Sequence, residues 1–263
     1  MLGPEMATSA PKLYVLPASH PCAAVEAALE LKRIDYRKVE LLPLTQMFVG
    51  PLLYGGVTVP GMRVDGERVV GSRAIMRRID ELAPEPPLLP APGDATYARV
   101  LEAERWGDEV FQPVPRRLID AAFVRNPGAM ESYADPDSLP LPVSLLRPTQ
   151  PLLARAMALR NRARAESARA DLLGLPAQLQ RIDGWIAEDL LGSEQPNAAD
   201  LQIGSTIRLL MSIGDVRPLI EPRPAAGLSR YFPPLRGEVP PGTLPAEWQP
   251  AAAGVAGGPS GAG

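Results

Sequence analysis

The order of strand and helix signals over residues 12–83 restricts the fold more than any other feature of this 263-residue chain. A short alternating run from Lys12 to Leu16 leads to Ser19, and apolar residues at helical spacing follow. This pattern predicts a strand and then a helix that begins at or just after Ser19. Tyr36 to Leu42 alternates again and predicts a second strand, parallel to the first because a helix connects them. The chain therefore opens as a β-α-β unit.

A hairpin and a further helix complete this region. Asp65 and Gly66 separate two short β-type runs, which is typical of a two-residue hairpin turn. Ser72 precedes an apolar stripe of helical period, so we expect it to cap a helix. Residues 43–58 contain several Pro and Gly residues and predict only a short irregular helix over Gln46 to Leu53. The full order, β-α-β-α-β-β-α, predicts a small mixed sheet with helices on its faces.

Beyond this region the pattern is helical and interrupted by prolines. Residues 84–93 are rich in proline and have no period, so they predict a linker. Residues 94–250 predict a second, helical domain, with one long helix from Pro151 to Leu173. Asn197 to Asp200 has the residues of a helix-capping box. The composition of residues 251–263 predicts a disordered tail.

Composition narrows the function classes. A net charge of -3 gives no sign of a nucleic-acid partner. The apolar runs are too short for a membrane helix, and no signal-peptide pattern opens the chain, so we expect a cytoplasmic protein without a membrane span. With one cysteine and one histidine, the chain can form no intrachain disulfide, and we expect no metal cluster built on these residues.

The chain resembles the glutathione S-transferase family over roughly residues 12–213. Four features carry the resemblance: Ser19 at the start of the first helix, Val59-Pro60 before the hairpin, Ser72-Arg73-Ala74-Ile75 at the start of the next helix, and the capping box at Asn197 to Asp200. The resemblance implies an α/β thioredoxin-like N-terminal domain over residues 12–83, an all-α helical-bundle C-terminal domain over residues 94–250, and a homodimer. It also implies that glutathione is a co-substrate whose thiolate adds to a small-molecule hydrophobic electrophile.

The resemblance assigns roles to the site residues. Ser19 becomes the catalytic residue, which orients the glutathione sulfur and stabilises its thiolate. Val59 pairs its backbone with the extended tripeptide, next to Pro60 in the cis form. Ser72, at a helix N-terminus, binds the α-carboxylate of glutathione.

The chain departs from the family pattern at two places, and Arg73 has two possible roles. Gly71 stands where the family has an acidic or amide residue, so one side-chain contact to the tripeptide is lost while backbone contacts remain. Arg73 either assists binding or faces water. Residues 43–54 contain no Lys or Arg for the glycine end of glutathione, which leaves Gln46 as the candidate there.

Simpler interpretations stand beside these roles. Ser19 and Ser72 are also ordinary helix-capping residues. His20 is either a solvent-facing turn residue or an acid/base near the ligand sulfur. Cys22 is either an inert, half-buried helix residue or a thiol that forms a mixed disulfide with glutathione.

Two rival functions remain. One is a non-catalytic relative that uses the groove for binding, and the other is a glutathione-dependent thiol reductase that works through Cys22. For the transferase, we expect one or two residues of the first C-terminal helical region to line a pocket for the second substrate. The candidates are Tyr97, Trp106, Phe111, Arg116 and Arg117.

Overall fold

The structure, a computed structural model, describes residues 10–134 and 146–250. The tail predicted over residues 251–263 lies outside the described residues.

The first region is a four-stranded mixed sheet with three helices. Its strands are β1 (Lys12–Val15), β2 (Arg37–Glu40), β3 (Gly61–Val64) and β4 (Glu67–Val70), and its helices are α1 (His20–Leu31), α2 (Gln46–Leu53) and α3 (Ser72–Leu82). The strand order is β2-β1-β3-β4, in which β1 pairs parallel to β2 and antiparallel to β3. This arrangement confirms the predicted β-α-β-α-β-β-α order.

The hairpin between β3 and β4 has the predicted turn. Asp65 and Gly66 have φ values of 49° and 82°. A two-residue turn of this kind needs left-handed backbone at both central positions, which Asp and Gly tolerate best. The hairpin holds β3 in the middle of the sheet, next to the segment that contains Val59 and Pro60.

The remainder of the described chain is mostly helical. Its helices are α4 (Tyr97–Trp106), α5 (Pro113–Arg125), α6 (Gln150–Arg160), α7 (Ala165–Ala187), α8 (Ala198–Met211) and α9 (Arg217–Ile220). A π-helical segment, Gly107–Phe111, joins α4 to α5, and 3-10 segments occur at Pro127–Tyr133, Arg147–Thr149, Pro224–Tyr231 and Ala246–Trp248. No helix in the described ranges combines the length and apolar character that a membrane crossing requires.

The long helix predicted from Pro151 to Leu173 is wrong, because the structure has two helices there. α6 ends at Arg160, and Arg162 has a left-handed backbone with φ 54°. The side chain of Asn161 donates a hydrogen bond to Asp120 of α5. The Ala/Arg-rich sequence favours helix throughout, so we attribute the break to tertiary contacts rather than to a local signal.

Helix α8 joins the two hydrophobic cores of the molecule. Ala198 and Leu201 pack in the core under the sheet, whereas Ile203 and Ile207 pack in the helical core. The predicted capping box starts this helix: Asn197 Oδ1 accepts from the N–H of Asp200 at 3.1 Å, and Asp200 Oδ2 accepts from the N–H of Asn197 at 3.0 Å. The same helix therefore fixes the sheet and the helical bundle relative to each other.

Candidate functional site

A cavity of about 770 Å³ lies between the sheet region and helices α5 and α6. Its first side, here called the sheet wall, consists of residues 16–20, 40–46, 58 and 59. Its second side, here called the helical wall, consists of residues from α5, of those residues of 130–134 and 146–161 that face the cavity, and of Leu209 of α8. They are Arg116, Ile119, Asp120, Phe123, Met130, Glu131, Tyr133, Ala134, Leu146, Thr149, Gln150, Leu153, Met157, Arg160, Asn161 and Leu209. Most of the helical wall is apolar, including Ile119, Phe123, Leu153 and Met157.

Ser19 lies in the sheet wall at the N-cap position of α1. Its backbone is extended (φ -73°, ψ 110°), and its side chain makes no capping hydrogen bond. Ala18 precedes it with a left-handed φ of 55°, a conformation that is strained for a non-glycine residue and is often found at functional sites. Ser19 is a half-buried residue of the cavity lining, and its hydroxyl bonds the Cys22 thiol rather than capping the helix.

His20 is buried, which corrects the prediction of a solvent-facing turn residue. Only 3% of its surface is exposed, and Nε2 lies 3.2 Å from the backbone oxygen of Gln112. Burial, and secondarily the positive charge of Arg116, hold the pKa of His20 well below its usual value. The ring is neutral at pH 7, and Nε2–H donates to Gln112. His20 therefore connects the start of α1 to the start of α5.

Cys22 is a fully buried helix residue rather than an accessible thiol. It is 1% exposed. Burial raises its pKa to about 12, although hydrogen bonding from the Ser19 side chain acts in the opposite direction. Because the thiolate is the reactive species, a thiol with such a pKa is inert at neutral pH.

Val59 presents free backbone groups to the cavity. The Val59–Pro60 peptide bond is cis, and the Pro60 carbonyl accepts a hydrogen bond from the N–H of Gly71 at 2.9 Å. The N–H and C=O of Val59 make no hydrogen bond to any residue in the described ranges. An extended ligand backbone could satisfy both groups as a neighbouring strand would.

Gln46 is the first residue of α2, and α2 has the bounds that the sequence predicts. Its side chain is 4% exposed and lines the cavity. Its Oε1 atom is buried and has no hydrogen-bond partner among the described residues. A buried, unpaired acceptor is costly, so this atom is a candidate contact for a ligand N–H group.

Ser72 does not share the cavity, which corrects the predicted arrangement of two hydroxyls in one cleft. Gly71, with φ 93°, is the N-cap of α3, and Ser72 is its first helical residue. The buried Ser72 hydroxyl donates to Gln202 Oε1 of α8 at 2.9 Å, while Gln202 Nε2 has no partner in the described chain. Arg73 extends instead toward Glu104 and Glu109. The structure thus brings Ser19, Val59 and Gln46 together and leaves Gly71, Ser72 and Arg73 outside the cavity lining.

The polar residues of the helical wall include Arg116, which the sequence analysis named, and Asp120, which it did not. Of the five candidates on the first C-terminal helical region, Arg116 lines the cavity. Asp120, one turn further along α5, is 1% exposed, and burial raises its pKa to about 6. Its Oδ2 accepts a hydrogen bond from Asn161 at 2.7 Å. The available sequence signal was an isolated carboxylate within the otherwise apolar run from Leu118 to Phe123.

A thioredoxin-like sheet region followed by helices, with a cavity between them at the start of α1, defines the glutathione S-transferase fold. A family profile described as the glutathione S-transferase N-terminal domain matches residues 13–87. Residues 13–87 are therefore similar to that domain, and the described chain continues into a mostly helical region. No curated protein sequence matches the chain. In the part of the chain that the structure describes, no group of three or more His, Cys, Asp or Glu residues is placed to hold one metal ion.

Solved structures agree on the fold over most of the chain. A glutathione S-transferase from Rhodospirillum rubrum is similar with a TM-score of 0.55 and 23% identity, covering 84% of this chain and 86% of that one. The β-etherase LigF from Sphingobium has a TM-score of 0.57 and 19% identity, covering 86% and 89%. A Tau class glutathione S-transferase from mango has a TM-score of 0.53 and 15% identity, covering 86% and 89%. At these identities the likeness supports the fold and not a particular reaction.

Proposed function

We propose that this protein is a glutathione transferase, which binds glutathione at the sheet wall and adds its thiolate to an electrophile held against the helical wall. The observation that carries the proposal is the position of Ser19, a half-buried residue that lines a cavity with apolar residues on its other side. A thiol bound at Ser19 would therefore meet an electrophile that packs against apolar side chains.

The residues of the sheet wall suit an extended tripeptide. The unpaired backbone of Val59 matches the central cysteine of glutathione, and the unpaired Gln46 Oε1 matches an N–H group toward its glycine end. Because the Ser72 hydroxyl is occupied by Gln202, the γ-glutamyl end would depend on backbone N–H groups at the start of α3. The Gly71 N–H is bonded to the Pro60 carbonyl, so in this proposal Ser72 contributes its backbone N–H, and Arg73 contributes charge nearby.

The chemistry assigned to Ser19 is stabilisation of a thiolate. Its O–H donates a hydrogen bond to the ligand sulfur, which lowers the thiol pKa and increases the fraction of the attacking species. With an aryl chloride, the new C–S bond forms as the C–Cl bond breaks, chloride leaves, and the thiol proton passes to solvent. His20 does not take that proton in this scheme, because burial and the charge of Arg116 hold its pKa well below the usual value and disfavour the protonated ring.

The test is conjugation of glutathione to chlorodinitrobenzene by the wild-type protein and by Ser19→Ala. Removing a hydrogen-bond donor from a developing or stable anion costs about 10²-fold in turnover, so we expect a loss of that order in kcat/KM, while glutathione still binds in calorimetry. Equal activity in the two proteins would refute the role of Ser19. Glutathione binding without conjugation of any electrophile would favour the non-catalytic alternative, for which the occupied Ser72 hydroxyl is the supporting observation.

The thiol reductase alternative receives no support from Cys22, because its sulfur is buried and its pKa is raised to about 12. Reduction of a mixed disulfide that disappears in Cys22→Ser would nevertheless establish it.

We also propose a homodimer. The supporting feature is the apolar surface of α2, where Phe48 and Leu52 are 78% and 77% exposed. Such a surface on a folded protein is typical of an interface. Sedimentation analysis should give twice the chain mass, and Phe48→Ser should shift it toward the monomer.

A further inference from the structure

The helical wall carries an incompletely paired positive charge. Arg116 lines the cavity, and in the described chain its guanidinium has one hydrogen-bond partner, the side-chain oxygen of Gln112. The ion pairs found between described residues do not include Arg116, although the charges of Asp108 and Asp120 act on it from a greater distance. A guanidinium has five N–H donors, and a buried charge is normally paired. Arg116 therefore has N–H donors that no described residue accepts and that a ligand in the cavity could use.

A second arginine strengthens this positive field. Arg160, the last residue of α6, also lines the cavity and donates to the backbone oxygen of Val57 at 3.2 Å. Burial lowers the pKa of the Arg116 guanidinium, the charges of Asp108 and Asp120 raise it, and the charge of Arg160 makes a smaller lowering contribution. The two cations thus repel each other at this wall.

The acidic residues that line the cavity do not form ion pairs with both arginines. Asp120 accepts from Asn161, and its ionised form balances one of the two arginines. Glu131 is paired with Arg147 and Gln150 at another part of the lining, and Glu40 lies across the cavity on the sheet wall. Asp108, which lies just before α5 and outside the cavity lining, also acts on Arg116 and accepts a hydrogen bond from Gln112. Among the lining residues of α5 and α6, two arginines therefore accompany one carboxylate.

We infer that Arg116 and Arg160 bind the carboxylate of the second substrate, so that the electrophile is an apolar organic acid rather than a neutral hydrophobic compound. The apolar body of such an acid packs against Ile119, Phe123 and Met157, and its carboxylate takes the free N–H groups of Arg116 in paired hydrogen bonds. His20 contacts Gln112, which contacts Arg116, so the carboxylate site lies close to the start of α1. The statement that the bound acid is a substrate rests on the proposed function. The binding of the acid to Arg116 and Arg160 does not require glutathione.

The first experiment measures binding alone, by calorimetry, with unreactive dinitrobenzoate and its methyl ester as probes. Both share the ring, and only the acid carries a negative charge at neutral pH. We expect the wild-type protein to bind the acid more tightly. In Arg116→Gln, the acid should lose about tenfold in affinity, as expected when one partner of a hydrogen-bonded charge pair is removed, while the ester changes little.

The matched variants separate a charge effect from a folding effect. Arg160→Gln should weaken the acid selectively, by less than Arg116→Gln because Arg160 also bonds Val57. Arg116→Lys should restore part of the preference for the acid. Arg155→Gln serves as the control, because Arg155 is an exposed residue of α6 outside the cavity lining. If Arg116→Gln does not fold, the inference is tested by Arg160→Gln alone, and an equal effect of that variant on acid and ester binding would overturn it.

The second experiment measures conjugation of glutathione with chlorodinitrobenzoate and with its methyl ester. The ratio of kcat/KM for acid to ester should fall in Arg116→Gln by the same factor as the binding ratio. Equal binding of acid and ester by the wild type, or an equal loss of both in Arg116→Gln, would overturn the inference. Selective acid binding without conjugation of either probe would instead overturn the proposed function and leave the carboxylate site in place.

Discussion

The two walls of the cavity differ in the structural elements and residue types that form them. The sheet wall is formed by short segments that precede helices or strands. It combines the backbone of Val59 and the polar side chains of Ser19 and Gln46 with several apolar side chains and the carboxylate of Glu40. The helical wall is formed by residues of the helices and the segments beside them, apolar for the most part, with the charged residues Arg116, Asp120, Glu131 and Arg160. A wall made of backbone has a fixed shape and suits an invariant ligand. A wall made of side chains can change with each substitution, so substrate choice is expected to depend on it.

The largest expected effect is the loss of stability caused by a side chain at Gly61, which packs beside the sheet wall. A Cβ at this first residue of β3 would lie 2.2 Å from the ring of Tyr54, which is fully buried and packs against Tyr14 with ring centroids 5.1 Å apart. Gly61→Ala should lower the free energy of unfolding by about 3 kcal/mol or abolish folding. Denaturant titration would measure the change.

The control for that substitution is Gly174→Ala in α7. No atom lies within 4 Å of a Cβ there, so the change removes only the flexibility of glycine inside a helix. The free energy of unfolding should rise by about 0.5–1 kcal/mol. Similar losses in both variants would show that the Tyr54 contact does not explain the first result.

The same difference between the walls explains what the sequence could predict. Ser19, Val59 and the Asp65-Gly66 turn belong to local patterns, in which a capping residue, a proline or a turn pair fixes the backbone within a few positions. The bounds of α2 follow from the prolines and glycines around it. Most of the sheet region was therefore accessible to prediction.

The helical wall and the surroundings of Ser72 depend on contacts between distant segments. Ser72 bonds Gln202, which lies 130 positions further along the chain, and His20 is buried against Gln112. The break between α6 and α7 occurs where Asn161 bonds Asp120 of α5. Periodicity reports which side of a helix is apolar and does not report which partner covers a polar residue. Those three predictions failed for that reason.

A second prediction uses the buried charge of the helical wall. Burial raises the pKa of Asp120 from its ordinary value of 3.8 to about 6. Between those two values the unfolded carboxyl ionises while the folded one stays protonated, so the folded state loses stability as the pH rises. Asp120→Asn cannot ionise and should gain up to about 3 kcal/mol relative to the wild type between pH 4 and pH 7.

The measurement is the difference in unfolding free energy between Asp120→Asn and the wild type across that pH range. Asp200, whose pKa burial also raises to about 6, and the neutral His20 contribute equally in both proteins and cancel in the difference. A difference that does not change with pH would contradict the assignment of the shift to Asp120.

A third prediction tests the unpaired acceptor of the sheet wall. Gln46→Met keeps the length of the side chain and removes Oε1, so the free protein should gain about 1 kcal/mol in unfolding free energy. Glutathione affinity should fall by about fivefold if that oxygen accepts a ligand hydrogen bond. Gln178→Met is a matched control, because Gln178 Oε1 is also buried and unpaired but lies in α7 outside the cavity lining. It should stabilise the protein and leave glutathione binding unchanged.

The smallest expected effect concerns α8, which packs in both cores and so holds the two walls at a fixed separation. Asn197→Ala removes the side-chain acceptor of its capping box and should cost about 1 kcal/mol of unfolding free energy. Because a capping residue acts on the whole helix and not on either wall, the ratio of acid to ester conjugation should stay at the wild-type value. If that ratio instead fell while the protein remained folded, the charge of Arg116 would not be sufficient to explain acid binding, and the spacing set by α8 would have to contribute.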